Sequence, residues 1–123
     1  MRVLLIDDDA DLCAIASLSL TALGGMEVTT AGSGPEGIAS ALACRPNAII
    51  LDVMMPEMDG RQTLAALKTH RELDGVQIVF LTAVADSKSV ADLAELSGNP
   101  VLRKPFEPQH LVDSINKIVN SSK

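Results

Sequence analysis

Four hydrophobic runs in this sequence each end in residues able to do chemistry. Val3-Leu4-Leu5-Ile6 ends in Asp7-Asp8-Asp9, and Ala48-Ile49-Ile50-Leu51 ends in Asp52. Gln77-Ile78-Val79-Phe80-Leu81 ends in Thr82, and Val101-Leu102-Arg103 ends in Lys104-Pro105. Short apolar runs of this kind read as buried strands of a parallel sheet. Ligands of open α/β sheets bind outside the carboxyl ends of the strands. Asp7, Asp8, Asp52, Thr82 and Lys104 therefore converge on one sheet edge. Carboxylates held close together repel, more strongly when buried, and a cation between them removes that penalty. Oxygen ligands alone favour Mg²⁺, with Mn²⁺ as a substitute, over Zn²⁺. Lys104 supplies a fixed positive charge and Thr82 a hydroxyl donor, which suits the oxygens of a phosphoryl group. An aspartate can attack phosphorus to give an acyl phosphate. Positioning and charge neutralisation are then the protein's share of the work.

These residues need elements to hold them, and the pattern supplies strands alternating with helices. Ala10 to Leu23 carries Leu12, Ile15, Ala16, Leu20 and Leu23 at helical spacing, with Asp9 as N-cap and Gly24-Gly25 as the stop. Met26 to Ala31 reads as a second strand, rich in β-branched residues. Ser33-Gly34-Pro35-Glu36 opens a second helix that runs to about Cys44. Asp59-Gly60 opens a third, to about His70, with Leu64 and Leu67 inward. Asp86 to Leu96 is the fourth, with Val90, Leu93 and Ala94 on one stripe. Pro108 to Asn120 is the fifth, burying Leu111, Ile115, Ile118 and Val119. Parallel strands need crossovers, which are right-handed almost without exception. The expected architecture is an α/β fold: an open, doubly wound, five-stranded parallel sheet with helices on both faces.

Composition narrows the function. A length of 123 residues suits one domain, residues 1–123, and a 47% hydrophobic content supports a real core. No apolar stretch approaches the roughly 20 residues of a membrane helix, and no signal peptide is visible. The expectation is a cytoplasmic protein with no membrane contact. A net charge of −6 argues against direct nucleic-acid binding. With no Trp or Tyr, and only Phe80 and Phe106, base stacking has little to be built from. Cys13 and Cys44 lack partners at metal-binding spacing and read as free thiols. Asp9, Asp59 and Asp86 read as helix caps, and His70 and His110 as isolated solvated side chains.

Four motifs together resemble the receiver domain of two-component response regulators over the whole chain. They are Ile6-Asp7-Asp8-Asp9; Leu51-Asp52-Val53-Met54-Met55-Pro56 with Met58-Asp59-Gly60; Leu81-Thr82-Ala83; and Arg103-Lys104-Pro105-Phe106. The resemblance implies a flavodoxin-like (βα)5 fold with strand order 2-1-3-4-5. It implies that Asp52 is the phosphoacceptor. Asp8 and Asp52 would bind Mg²⁺ directly with the backbone carbonyl of Met54, and Asp7 through water. Thr82 would contact the phosphoryl group, and Lys104 would pair first with Asp52 and then with the phosphoryl oxygens. The Lys104-Pro105 bond is expected to be cis. A histidine kinase would donate the phosphoryl group, and an effector that the sequence does not name would read the result. The protein would be a monomer or a weak phosphorylation-dependent dimer, and would catalyse only its own phosphorylation and dephosphorylation.

The chain departs from the family pattern in three places. Val101 stands where an aromatic or His residue is usual, and a β-branched side chain cannot make the same rotamer swing. Pro100 replaces an acidic residue used by many dimerising receivers. Met54 and Val84, two residues after Asp52 and Thr82, can neither hydrogen-bond an attacking water nor act as a base, which predicts slow self-dephosphorylation. Other readings explain less. An Asp-nucleophile Mg²⁺-dependent phosphatase would use the Asp7 and Asp9 spacing, but Asp11 stands where Thr or Val is needed and no insertion forms a cap. A binding-only module would lack an acidic residue or the lysine, and this chain keeps them all. A flavin protein would need a phosphate-cradling loop after the first strand.

Overall fold

A computed structural model describes residues 1–83 and 86–121. The elements are β1 (Arg2–Ile6), α1 (Ala10–Gly24), β2 (Glu27–Ala31), α2 (Gly34–Cys44), β3 (Ala48–Asp52), α3 (Gly60–Leu67), β4 (Gln77–Thr82), α4 (Ser87–Ser97), β5 (Leu102–Arg103) and α5 (Pro108–Ser121). The strands pair in parallel in the order β2-β1-β3-β4-β5, as the family resemblance implies.

The apolar runs are continuous because both faces of the central strands are covered. Val3 and Leu5 of β1, Ile50 of β3 and Val79 and Leu81 of β4 pack with Ala16 and Leu20 of α1 and Leu111, Ile115 and Ile118 of α5. Leu4, Ile6, Ile49, Leu51, Ile78 and Phe80 point the other way, onto Ala41 of α2, Leu64 and Leu67 of α3 and Leu93 of α4. This alternation is the period of two along a strand. It fixes which residue of each strand emerges at the edge.

The caps hold the helices where they start. The Asp9 carboxylate accepts from the N–H groups of Asp11 and Leu12, and Asp86 accepts from Ser89. Asp59 and Gln62 form a reciprocal capping box at α3.

Two boundaries and one buried face differ from expectation. α3 ends at Leu67 rather than near His70. There the bonding tightens: Thr69 N–H reaches the Ala66 carbonyl and His70 N–H the Leu67 carbonyl, while the Thr69 hydroxyl also takes the Ala66 carbonyl. Such local side-chain bonding competes with a helix ladder, and a single 3₁₀ turn, Arg71–Leu73, follows. Val101 precedes β5 instead of opening it. In α1, Ile15 and Leu23 are 57% and 52% exposed, and the buried side is Cys13, Ala16, Ser19 and Leu20.

Among the residues of α4 only Leu93 is buried. Its carboxyl end is tied down by other means. Lys68 Nζ donates to the Leu96 carbonyl at 3.0 Å, and Asn99 Nδ2 donates to the Ile78 carbonyl at 2.9 Å.

Candidate functional site

Register sets the site. Leu51 pairs with Ile6 of β1 and Asp52 with Leu81 of β4, so Asp7, Asp52 and Thr82 leave the sheet at one edge. Thr82 pairs with Arg103, and the Lys104 N–H donates to the Thr82 carbonyl at 2.9 Å, which brings the lysine to the same edge. Lys104-Pro105 is cis.

One ligand oxygen each from Asp7, Asp8 and Asp52 lies within 4.8 Å of the others. Asp7 and Asp52 are buried and Asp8 is exposed. Lys104 Nζ bridges the buried pair, 2.9 Å from Asp7 Oδ2 and 3.1 Å from Asp52 Oδ1. Asp7 is anchored at three points. Its N–H donates to the Ala31 carbonyl, its Oδ1 accepts from the Asp9 N–H at 2.9 Å, and its carbonyl accepts from Cys13 Sγ at 3.4 Å. The backbone N–H of Met54, two residues on, favours the charged form of the Asp52 carboxyl. The Met54 side chain is 71% exposed, between buried Val53 and Met55.

Burial pushes the Asp52 carboxyl up to about 6, and the Asp7 charge adds to this; the Lys104 hydrogen bond and charge and the Met54 N–H oppose it without cancelling it. Burial acts on Lys104 in the opposite sense and favours its neutral form. The hydrogen bonds and charges of Asp7 and Asp52 outweigh that and hold the ammonium above its ordinary value. Burial first, then the charges of Asp7 and Asp9, push the Cys13 thiol up to about 11, which leaves it unreactive. Cys13 was legible in the sequence only as a free thiol, and its contact with the Asp7 carbonyl could be read there only once Asp9 is placed as the helix cap.

The residues present fit a hard divalent cation. The donor set is all oxygen. Asp7 Oδ2 is buried and lies 2.9 Å from Lys104 Nζ, so two carboxylates share one ammonium and a second cation would relieve the remaining repulsion. An open cleft of about 390 Å³ lies alongside, lined by Asp7, Asp8, Cys13, Thr30 and Glu36 among others. The loop beneath the site is held by Gly60, whose N–H donates to the Val53 carbonyl at 2.9 Å. Within that loop Glu57 takes a left-handed conformation, φ 67°. Thr82 is buried at the edge, and Val84 lies outside the described residues.

The raised Asp52 value has a consequence for stability in chelator. The folded state holds this proton more tightly than the unfolded chain, so the contribution is complete below about pH 4 and is lost as pH rises through about 6. Subtracting the urea-unfolding free energies of Asp52→Asn from those of the wild type at each pH isolates it. The difference is expected to fall between pH 4 and 7, and a flat difference would refute the raised value.

The family model of the response regulator receiver domain matches residues 3–116. A Rhizobium etli protein described as a probable chemotaxis protein CheY is 32% identical over 123 residues, covering 100% of this chain and 95% of that protein. The transcriptional regulatory protein PrrA of Mycobacterium bovis is 36% identical over 118 residues, covering 96% of this chain and 49% of that protein. The chain thus spans about half the length of that regulator. The high-resolution structure of the chemotaxis response regulator CheY4 of Vibrio cholerae superposes with a TM-score of 0.86 at 29% identity, covering 95% of this chain and 97% of that one.

Proposed function

The chain belongs to the response regulator receiver family, and on that premise we propose that residues 1–123 form one receiver unit in which Asp52 accepts a phosphoryl group from the phosphohistidine of a histidine kinase. The observation that carries this reading is the placement of Lys104 Nζ between Asp52 and Asp7, with Asp8 completing the acidic cluster. An Asp52 oxygen forms the new O–P bond, the P–N bond to the imidazole breaks, and its electron pair returns to the imidazole nitrogen. Lys104 follows the charge from the carboxylate to the phosphoryl oxygens, and the Thr82 hydroxyl donates to another of them. Asp7, Asp8, Asp52 and the Met54 carbonyl would hold Mg²⁺, or Mn²⁺ in its place, which when bound neutralises the oxygens of the transferring group. The reaction is confined to this chain's own aspartate, in the cytoplasm, and no outside substrate is turned over.

The output is a changed surface formed by α4, β5 and α5, read by an effector protein or domain. A cleft of about 510 Å³ on that side is lined by Asn99, Val101, His110, Ser114 and Lys117 among others. Val101 packs against the same core cluster as Leu93 of α4; with no aromatic at this position, the signal from Thr82 passes through the loop that follows it or through α4.

The test is intact mass after incubation with Mg²⁺ and a small phosphodonor. The wild type is expected to gain one phosphoryl group, and Asp52→Asn or added chelator to abolish the gain. Equal gain in Asp52→Asn would overturn the assignment.

A further inference from the structure

Met54 is the large apolar side chain with the greatest exposure among the described residues, 71%, and it follows Asp52 by two residues. Two residues of chain span at most about 7 Å, which keeps the Met54 side chain within reach of the Asp52 carboxylate. Val53 and Met55 on either side are buried, so the backbone is fixed while the thioether projects into solvent. Met26 and Met55 are shielded within the core. Met1 is exposed as well, but it precedes β1, at the opposite end of the strand from Asp7.

We propose that Met54 is a site of reversible oxidation by peroxides, and that its sulfoxide shortens the life of the phosphoryl group on Asp52. The proposal rests on the reading of Asp52 as phosphoacceptor. The step balances: the thioether sulfur gains one peroxide oxygen and is oxidised by two electrons, and hydrogen peroxide is reduced to water. A thioether is a poor hydrogen-bond acceptor, so the native side chain cannot order water beside the acyl phosphate. Oxidation turns it into a polar side chain bearing a strong acceptor oxygen. A water held by that oxygen is positioned to attack phosphorus. The new O–P bond forms, the bond to Asp52 breaks, the carboxylate leaves and the water proton passes to solvent. The chemistry that regulates this site is thus an oxidant of the peroxide class, acting on the unphosphorylated or the phosphorylated protein.

The experiment treats the full chain with dilute hydrogen peroxide and maps the added oxygen by peptide mass. It then follows loss of the phosphoryl group by intact mass after loading with Mg²⁺ and a small phosphodonor. Met54 is expected to oxidise ahead of Met26 and Met55, the phosphoryl half-life to fall several-fold, and methionine sulfoxide reductase to restore it. Met54→Leu, compared with itself before and after treatment, is expected to show no change although Met1 still oxidises. The inference is overturned by an unchanged half-life with Met54 fully converted, or by an equal shortening in Met54→Leu. If untreated protein never gains a phosphoryl group, the reading of Asp52 fails and this inference falls with it. If it gains one whose decay ignores oxidation, the inference alone fails.

Discussion

Lys104→Met is expected to cost the fold about 3–5 kcal/mol at pH 8 in chelator, the range for removing one partner of a buried charge pair. The Lys104 side chain is 19% exposed, and the two carboxylates it bridges are almost fully buried. Methionine keeps the apolar stem, so the loss reports the charge and not the packing. The sign with pH follows from Asp52. Without the ammonium its folded value moves further above the unfolded one, so the variant loses stability as pH rises through that value and recovers it in acid. Mg²⁺ should stabilise the variant more than the wild type, because the lysine no longer competes for the same oxygens. Urea midpoints at pH 5 and pH 8, with and without Mg²⁺, measure all of this. A loss below about 1 kcal/mol at pH 8 would place the pair with exposed salt bridges and sink the argument.

Gly60→Ala is expected to be nearly as damaging, at about 3 kcal/mol or more, toward the upper end for overpacking. A β-carbon here would meet the Asp52 carbonyl oxygen and lie 2.8 Å from Val53 Cα. Both are backbone atoms of the segment that carries the candidate nucleophile, so neither can rotate away. Relief requires moving the end of β3, and phosphoryl acceptance should fall together with stability. Gly98→Ala is the contrast: its φ is 73° but nothing lies within 4 Å, so it should cost only about 1 kcal/mol of backbone strain. Equal urea midpoints for the two variants would show that the close approach at Gly60 is absorbed without cost.

Much of this arrangement was legible in the sequence because β1, β3 and β4 are buried on both faces. Runs such as Ala48–Asp52 contain no polar residue until the one that emerges at the edge, so strand ends and site residues coincide. The helix caps were readable for a similar reason: Asp9, Asp59 and Asp86 each precede an apolar-periodic segment and each accepts backbone N–H groups. The inward face of α1 was not readable. Leu12 to Gly24 carries no charged residue, so periodicity cannot separate Cys13, Ala16 and Leu20, which are buried, from Ile15 and Leu18, which are exposed. The end of α3 was hidden because Thr69 stops it through a side-chain bond rather than through Gly or Pro. The bridging of Asp7 and Asp52 by one ammonium depends on a pairing between Thr82 and Lys104 that no local pattern encodes.

The slight anchorage of α4 bears on how little energy is needed to move it. One buried leucine contributes about 1.5–3 kcal/mol, and the ties from Lys68 and Asn99 hold only the carboxyl end of the helix. Converting an equilibrium from 1:99 to 99:1 takes about 5.5 kcal/mol, and each tenfold step about 1.4 kcal/mol. One or two charge-assisted hydrogen bonds redrawn at the sheet edge supply energy on that scale. The sheet, buried on both faces, is far too costly to rearrange by that amount, so on the proposed reading α4 is the element that such an energy could move.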